Sequence, residues 1–498
     1  MTSPSTLESV PQPQTRLRLT LDHVYVTAAL MLIALRPLLT PIPPHDFWWH
    51  MATGRVILET GTIPQHDLFS YTRAGEPFFN QGWLAQVLMA SLHRIGGLPL
   101  IIVVQALVLT LAYGLLLRLC ILRTNRIRAC VAILLLATMP LSFDNWTVRP
   151  QTYVFPLFAG FLTVLTEYRL RNVQRLWLLP ALMALWVNMH GSFVLGLGLI
   201  GIVFVGETFK RWHSASAARL DVPLIVWGAV TAAATLLNPR GVEVLGYVTN
   251  LLGSSQVTDL VTEWSPPTIR DINGAIFFLF LIGAALTLIY ARTRPDPTDL
   301  LLFGAFLWLA LGATRNIVWL GFVATPLLAV QATTLLPPPP PRRFQGIPAM
   351  NAALIALLTL LLLIGLPWIK PVLLPPETGA LLAKSTPVEA TRALQNLPQR
   401  PQRLFHAMSY GSYLIWAAPD QKVFIDPRIE LYPFEQWRDY ILLGQGVEVE
   451  ELLAKYRIDG MMLSIEEQAP LLAYVRARAD VWREVYANEA TVVLVRER

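Results

Sequence analysis

Asp46 follows the first long apolar stretch of this sequence by a few residues and is succeeded at once by Phe47, Trp48, Trp49 and His50. A carboxylate at that depth is placed to take a proton from a hydroxyl group at a membrane surface, the task of a general base. The competing reading is that Asp46 caps the helix that begins behind it. Asp67, in the same loop, is either an auxiliary acid or the head of an Asx-type turn ending at Ser70, and the turn is the more ordinary of the two. His45, His50 and His66 flank both aspartates. Such clusters bind divalent metals, although this spacing matches no specific metal signature. Neither a phosphate loop nor a dinucleotide fingerprint is present, so a divalent metal is the only cofactor the residues raise.

Isolated polar residues recur where apolar stretches end. Asp144 and Arg149 lie in DNWTVRPQ; His190 lies in NMHGS; Arg240 lies in NPRG; Glu263 lies in TEW; Arg315 precedes Asn316. Ionisable groups at the edge of a membrane are costly and face a cavity or a partner. Arg149, Arg240 and Arg315 are candidates for gripping a phosphate, because a guanidinium matches phosphate oxygens in pairs. The bland alternative is snorkelling to lipid headgroups. Asp144 and Glu263 are further auxiliary acids, Glu263 alternatively an acceptor contact or a cap. His50 and His190 are candidate acceptor contacts, His190 alternatively a hydrogen bonder between helices. Near the C-terminus, VFIDPRIELY reads as a strand whose end presents Asp426, Arg428 and Tyr432, and strand ends often carry binding sites. The alternative there is an internal Asp–Arg pair that fixes the turn.

The elements that must position these residues follow from composition. Of 498 residues, 54% are hydrophobic and 14% charged, which excludes an ordinary soluble enzyme. Two cysteines, Cys120 and Cys130, exclude a disulfide-stapled scaffold. Apolar windows long enough for a bilayer recur down to about position 370, and they read as about eleven spans: 20–40, 98–122, 129–143, 151–168, 176–188, 192–208, 221–237, 274–291, 299–312, 316–335 and 347–369. With residues 1–19 as a cytoplasmic tail, the inner segments hold 15 Lys+Arg in 62 residues and the outer loops only seven in 106. That contrast sets the orientation. It makes Arg123, Arg126, Arg128, Arg169, Arg171 and Arg175 topology anchors and argues against nucleic acid as a partner. Pro337–Pro341 reads as a stiff inner linker.

Loop 41–97 is the large first outside loop. It is expected to carry an amphipathic helix lying on the membrane surface from Trp48 to Glu59 and a second helix over Trp83–Leu92. Residues 370–498 change character, with 17 of the 33 acids beside 15 Lys+Arg. They are expected to form a small extracytoplasmic α/β domain with strands at 403–406, 423–426, 460–463, 485–486 and 491–495. The whole is a polytopic α-helical membrane protein with a soluble C-terminal unit, in a plasma (inner) membrane.

Asp46, Trp48, Trp49, His50, Ala52, Gly54 and Arg55, then Gly61, Ile63, Pro64, Asp67, Phe69, Ser70, Thr72 and Gly75, and later Trp83-Leu84 resemble bacterial multi-span proteins similar to RgtA/B/C/D-type glycosyltransferases. An aspartate just after the first span, before an interfacial helix, resembles the wider GT-C superfamily. The resemblance implies transfer of a sugar from a polyprenyl-phosphate carrier to a glycan, lipid or protein acceptor on the outer face, with inversion and with Asp46 as base. The alternatives are a transporter, which would carry ionisable residues in mid-span, and a non-catalytic scaffold whose C-terminal unit binds a partner. For the scaffold, Asp46 would be engaged only in capping.

Overall fold

The computed structural model describes residues 19–213, 220–253, 262–338 and 344–497. The expected cytoplasmic tail lies outside these bounds apart from Leu19, as does the inner linker from residue 339. Each apolar segment read from the sequence overlaps a helix. In chain order these are α1 (Leu21–Leu39), the C-terminal part of a long helix (Trp83–Thr124), the bent pair Ile127–Thr138 and Pro140–Trp146, then Phe155–Arg171, Leu178–Val187, Val194–His213, Val222–Ala234, Ile272–Tyr290, Pro297–Gly312, Ile317–Leu335 and Pro348–Ile364. Among the described residues five helices are long and apolar enough to cross a bilayer alone, or six if the pair bent by 59° is one crossing. A ten-residue helix such as Leu178–Val187 rises only about 15 Å against a hydrocarbon core of about 30 Å, so a crossing there needs its flanking turns as well.

Ile317–Leu335 is the centre of the bundle. It is apolar all round and almost wholly buried, as a helix surrounded by other helices must be. Its Trp319 and Phe322 interlock with Phe155, Phe158 and Tyr113 at centroid separations of 4.9–5.8 Å, in the edge-on and tilted geometries that aromatic quadrupoles favour. At one end of the bundle, opposite Asp46, Arg169 is 1% exposed and bonded to Glu207 at 2.7 Å, Asp296 at 2.8 Å and Asp299 at 3.0 Å. Lys210 and Arg123 join the same carboxylates. Arg169 and Arg123 therefore also pin helix ends together.

Loop 41–97 contains α2 (Phe47–Thr60) and the start of α3 (Trp83–Thr124). The outcome differs from the expected surface helix. Phe47, Trp48, Trp49, Met51, Ala52 and Gly54 are buried by protein, between α3 on one side and the C-terminal unit on the other. Gly54 permits the contact with α3: a Cβ there would meet the Gln86 carbonyl oxygen at 2.1 Å. α3 breaks at Gly97, whose φ of +65° and ψ of −162° only glycine takes without cost; the second loop helix and the following span are thus one kinked rod.

The C-terminal unit holds a four-stranded sheet of β1 (Leu404–His406), β2 (Gly460–Ser464), β3 (Trp482–Ala487) and β4 (Thr491–Arg496), in the order β1-β2-β4-β3. β1 runs parallel to β2, and the other pairs are antiparallel. The expected strand at 423–426 is not in this sheet. It leaves the unit to pair with loop 41–97, where Tyr71 N–H donates to the Val423 carbonyl at 3.1 Å and Val423 N–H to that of Phe69 at 3.1 Å. Phe424 N–H donates to His406 Nε2 at 3.0 Å, and burial pushes that imidazole down to about 4, keeping it neutral as an acceptor.

Candidate active site at one end of the helix bundle

Asp46 is positioned by a strap on one side and a helix on the other. Behind it, Ile42 N–H donates to the Leu381 carbonyl and the Ile42 carbonyl accepts from Ala383 N–H, both at 2.9 Å, so the chain leaving the last helix fixes the Pro41–Pro44 segment. Ahead of it, Asp46 already has helical angles (φ −54°, ψ −30°) and makes no side-chain cap bond. The Trp49 N–H that a capping aspartate would take donates instead to Ser412 Oγ of the C-terminal unit, at 3.0 Å. That substitution leaves the Asp46 carboxylate to face inward. Ser412 sits on the helix Met408–Ala417, which Tyr413 and Trp416 hold against Trp48. We predict that Ser412→Ala costs about 1 kcal/mol of stability, the worth of a helix cap. It should also lower activity as Asp46 competes for the vacated N–H; a thermal melt and a rate measured on one preparation check both.

Opposite Asp46 stands Arg149. The residue before a proline is pushed to extended backbone, and Arg149, preceding Pro150, has φ −159° and ψ 163°. Gln105 of α3 bonds the carbonyls of Trp146 and Thr147 and accepts from Thr152, so a buried amide in a membrane helix sets the turn that aims Arg149. The guanidinium gives two bonds to Glu263, at 2.8 and 3.0 Å, and lies 3.8 Å from Asp46 Oδ2. Thr314 donates to the Glu263 carbonyl at 2.9 Å, tying the Glu263 turn to that of Arg315, whose guanidinium lies 4.4 Å from the Trp264 ring centre. Among the described residues Arg315 has no ion-pair partner within 4 Å.

The electrostatics follow from this arrangement. The Asp46 side chain is 34% exposed, yet burial and the neighbouring Glu263 raise its carboxyl above the ordinary range against the pull of Arg149. Arg149 and Arg315 hold Glu263 below its ordinary value despite burial. The two carboxylates are thereby separated in role, Glu263 the committed anion and Asp46 the better proton acceptor. His190 is pushed down to about 3 by burial beside Arg315 and Arg149, and His50 is lowered by burial and His190. Both are neutral, with His50 Nδ1 on Gln86 and His190 Nδ1 on Ser192.

The remaining sequence candidates are placed elsewhere. Asp144 interacts with Arg36 at the outer end of α1. Arg240 is held at Gln65 and Glu243 and lies 4.8 Å from the Phe79 ring centre, lining a small cleft of about 50 Å³ beside Asn188. Asp67 accepts from Phe69 N–H, Ser70 N–H and Ser70 Oγ at 3.1, 3.0 and 2.6 Å, the turn reading, and its Oδ1 is 2.6 Å from Arg428. Arg428 also grips Asp426 through Nε at 2.8 Å and Nη2 at 2.6 Å, and Tyr432 donates to the same carboxylate at 2.5 Å. All three are buried and bonded to one another. The expectation that they contact an acceptor is corrected to the internal pair, since no face of the trio is open.

Gln105 carries no signal in the sequence beyond a polar residue among apolar ones, and Ser412 none beyond its place in the aromatic-rich stretch Tyr410–Trp416. Two groups near the site also went unnoticed: Tyr247, stacked on Phe79 with centroids 4.5 Å apart, and Glu430, 3.5 Å from the Tyr247 hydroxyl. Among the described residues no three His, Cys, Asp or Glu side chains gather as a metal ion requires. Arg149 Nε, Gln151 Oε1 and the Tyr153 hydroxyl, by contrast, are buried and unpartnered. Orphaned polar atoms are costly, and the arginine Nε beside a free Arg315 suits an incoming oxyanion.

Searches against family models and against curated proteins found no match. Solved structures that match in fold include two membrane proteins. One is the oligosaccharyltransferase of Archaeoglobus fulgidus, solved with a tethered acceptor peptide containing the NVT sequon: 13% identity, TM-score 0.52, 95% of this chain and 74% of that one. The other is ArnT of Cupriavidus metallidurans bound to undecaprenyl phosphate: 12% identity, TM-score 0.51, 95% of this chain and 97% of that one. The chain therefore shares the fold of these two proteins over 95% of its length, the fold that its resemblance to GT-C proteins implies.

Proposed function

We propose that this protein transfers a sugar from a polyprenyl-phosphate donor to an acceptor hydroxyl at the outer face of a plasma (inner) membrane, with the N-terminus cytoplasmic and residues 370–498 outside. The observation that carries this reading is the uncapped Asp46 carboxylate set against Arg149 and Arg315. Asp46 takes the acceptor hydroxyl proton as the oxygen bonds to the anomeric carbon. The anomeric C–O bond breaks on the opposite face, its electron pair leaves with the prenyl phosphate, and the configuration inverts. Arg149 and Arg315 face the departing phosphate, whose growing charge fixed cations stabilise without reorganisation. Glu263 fixes the Arg149 guanidinium so that it does not collapse onto Asp46. The scaffold alternative required Asp46 to be spent on capping, and Ser412 occupies that role instead.

The test is transfer by the purified full chain in lipid discs, given labelled sugars on polyprenyl phosphate or on nucleotides. Label reaching an acceptor from the lipid-linked sugar alone is expected. Transfer from the nucleotide sugar alone, or none across a full panel of lipid-linked sugars, would overturn the reading.

A further inference from the structure

A second cavity, of about 300 Å³, opens where loop 41–97 meets the C-terminal unit, away from Asp46. Its size is at the lower end of ligand pockets. None of its lining side chains is aliphatic, so it offers nothing to an acyl chain. Two guanidiniums enter it from different parts of the sequence. Arg73 comes from the loop and bonds only Gln436 Oε1, at 3.0 Å, through Nε. Arg403 comes from the residue before β1 and donates to the Tyr456 carbonyl at 3.2 Å, with Tyr71 beneath it. Among the described residues neither has a carboxylate within ion-pair distance. The other charges of the cavity are spent: Glu435 is paired with Lys455 at 2.6 Å, and Lys455 also with Asp439. Asp459, near Arg403, accepts from the backbone N–H groups of Gln402 and Arg403 at 3.0 and 2.8 Å. Arg149 and Arg428, by comparison, are each paired with carboxylates. Arg73 and Arg403 are thus the two cations of the lining without an ion pair of their own among the described residues.

We infer that this cavity is an oxyanion-binding site for an acidic saccharide, its carboxylate or phosphate held between Arg73 and Arg403. Planar guanidiniums take such groups through paired, charge-assisted bonds. Tyr71 and Tyr456 supply ring faces that suit a sugar ring, while Thr72 and Gln436 are bonded to each other and to the Phe424 carbonyl and shape the wall. That the ligand is a saccharide rests on the glycosyltransferase reading; that it is an oxyanion does not. The site then holds an acidic glycan on the outer unit while another part of it reaches Asp46.

The experiment is calorimetric binding to the full chain in phosphatidylcholine discs, with no donor present, so its result is independent of transfer. The probes are a short oligogalacturonate, a neutral maltooligosaccharide of equal length, and inorganic phosphate as competitor. We expect the acidic oligomer alone to bind, phosphate to compete, and salt to weaken the complex. Losing both guanidiniums in Arg73→Gln with Arg403→Gln should weaken binding about tenfold or more. Glu435→Gln, at an exposed position, removes the one acid of the lining and should tighten binding, which guards against a variant that merely unfolds. Equal binding of the neutral oligomer, no response to either variant, or competition only by discs containing phosphatidylglycerol would each overturn the proposal.

Discussion

Asp46→Asn lowers sugar transfer by roughly 10²–10⁴-fold, the range a positioned general base contributes. Asparagine keeps the shape and the 3.8 Å approach to Arg149 but has no basic lone pair for the acceptor proton. The lipid phosphate should still bind, because Arg149 and Arg315 remain and one competing anion is gone. Stability gives a second readout. Burial raises the folded Asp46 carboxyl above its unfolded value, so the folded state holds that proton more tightly. Whatever stability this adds is present at low pH and lost as pH rises through the folded value, leaving the carboxylate a cost at neutral pH. Asn carries no such cost, so the variant should melt no lower than wild type while turnover collapses. A lower melting temperature in step with lost turnover would assign Asp46 a structural role. In the wild type, the acid limb of the rate profile should lie above the ordinary aspartate value of about 3.9. Glu263→Gln should move that limb down, since it removes a charge that raises Asp46 and frees Arg149 to approach it.

Much of this site was legible because hydropathy fixes where helices end and charge sorts the ends. Asp46, Arg149, Glu263 and Arg315 were all visible as polar residues at the outer ends of apolar stretches, and the structure gathers them. Arg240 had the same signal but is engaged at Gln65 and Glu243; nothing local distinguishes the two cases. Periodicity reports that one face of α2 is apolar without reporting what covers it, so burial by the C-terminal unit looked like a membrane surface. The bond from Trp49 to Ser412 spans 363 positions, and no local rule reaches that far. The same blindness hid the fate of 423–426, whose alternation is that of a strand but whose partner is the loop at Phe69–Tyr71. Positive charge near inner helix ends was read as orientation alone, yet three of those cations are consumed by Glu207, Asp296 and Asp299.

Arg428→Met is expected to destabilise the protein by about 3–5 kcal/mol, the cost of stranding a buried charge by removing its partner. Arg428 is 2% exposed and holds Asp426 of its own unit and Asp67 of the first loop. It lies within 5.2–6.0 Å of the Phe69, Phe78 and Trp49 ring centres. The loop that carries Asp46 is therefore fastened to the C-terminal unit through this side chain, and losing it should also loosen the Ser412 cap and lower transfer. Lysine should not rescue, since a point charge cannot hold both carboxylates in paired geometry. The pH dependence identifies the cause. Arg428 holds the Asp426 carboxyl below its ordinary value, so its contribution is present above the unfolded value of about 3.9 and is lost as pH falls through the folded one. Without the Arg428 guanidinium, burial, the largest influence on Asp426, outweighs the bonds left from Tyr432 and the residue 428 N–H and raises the carboxyl, so the folded state then favours the protonated acid. The sign of the dependence reverses: the wild type should lose stability on acidification below about pH 4, whereas Arg428→Met should be more stable at pH 5 than at pH 7. Parallel melting curves for the two proteins across that interval would mean that Arg428 contributes packing rather than charge.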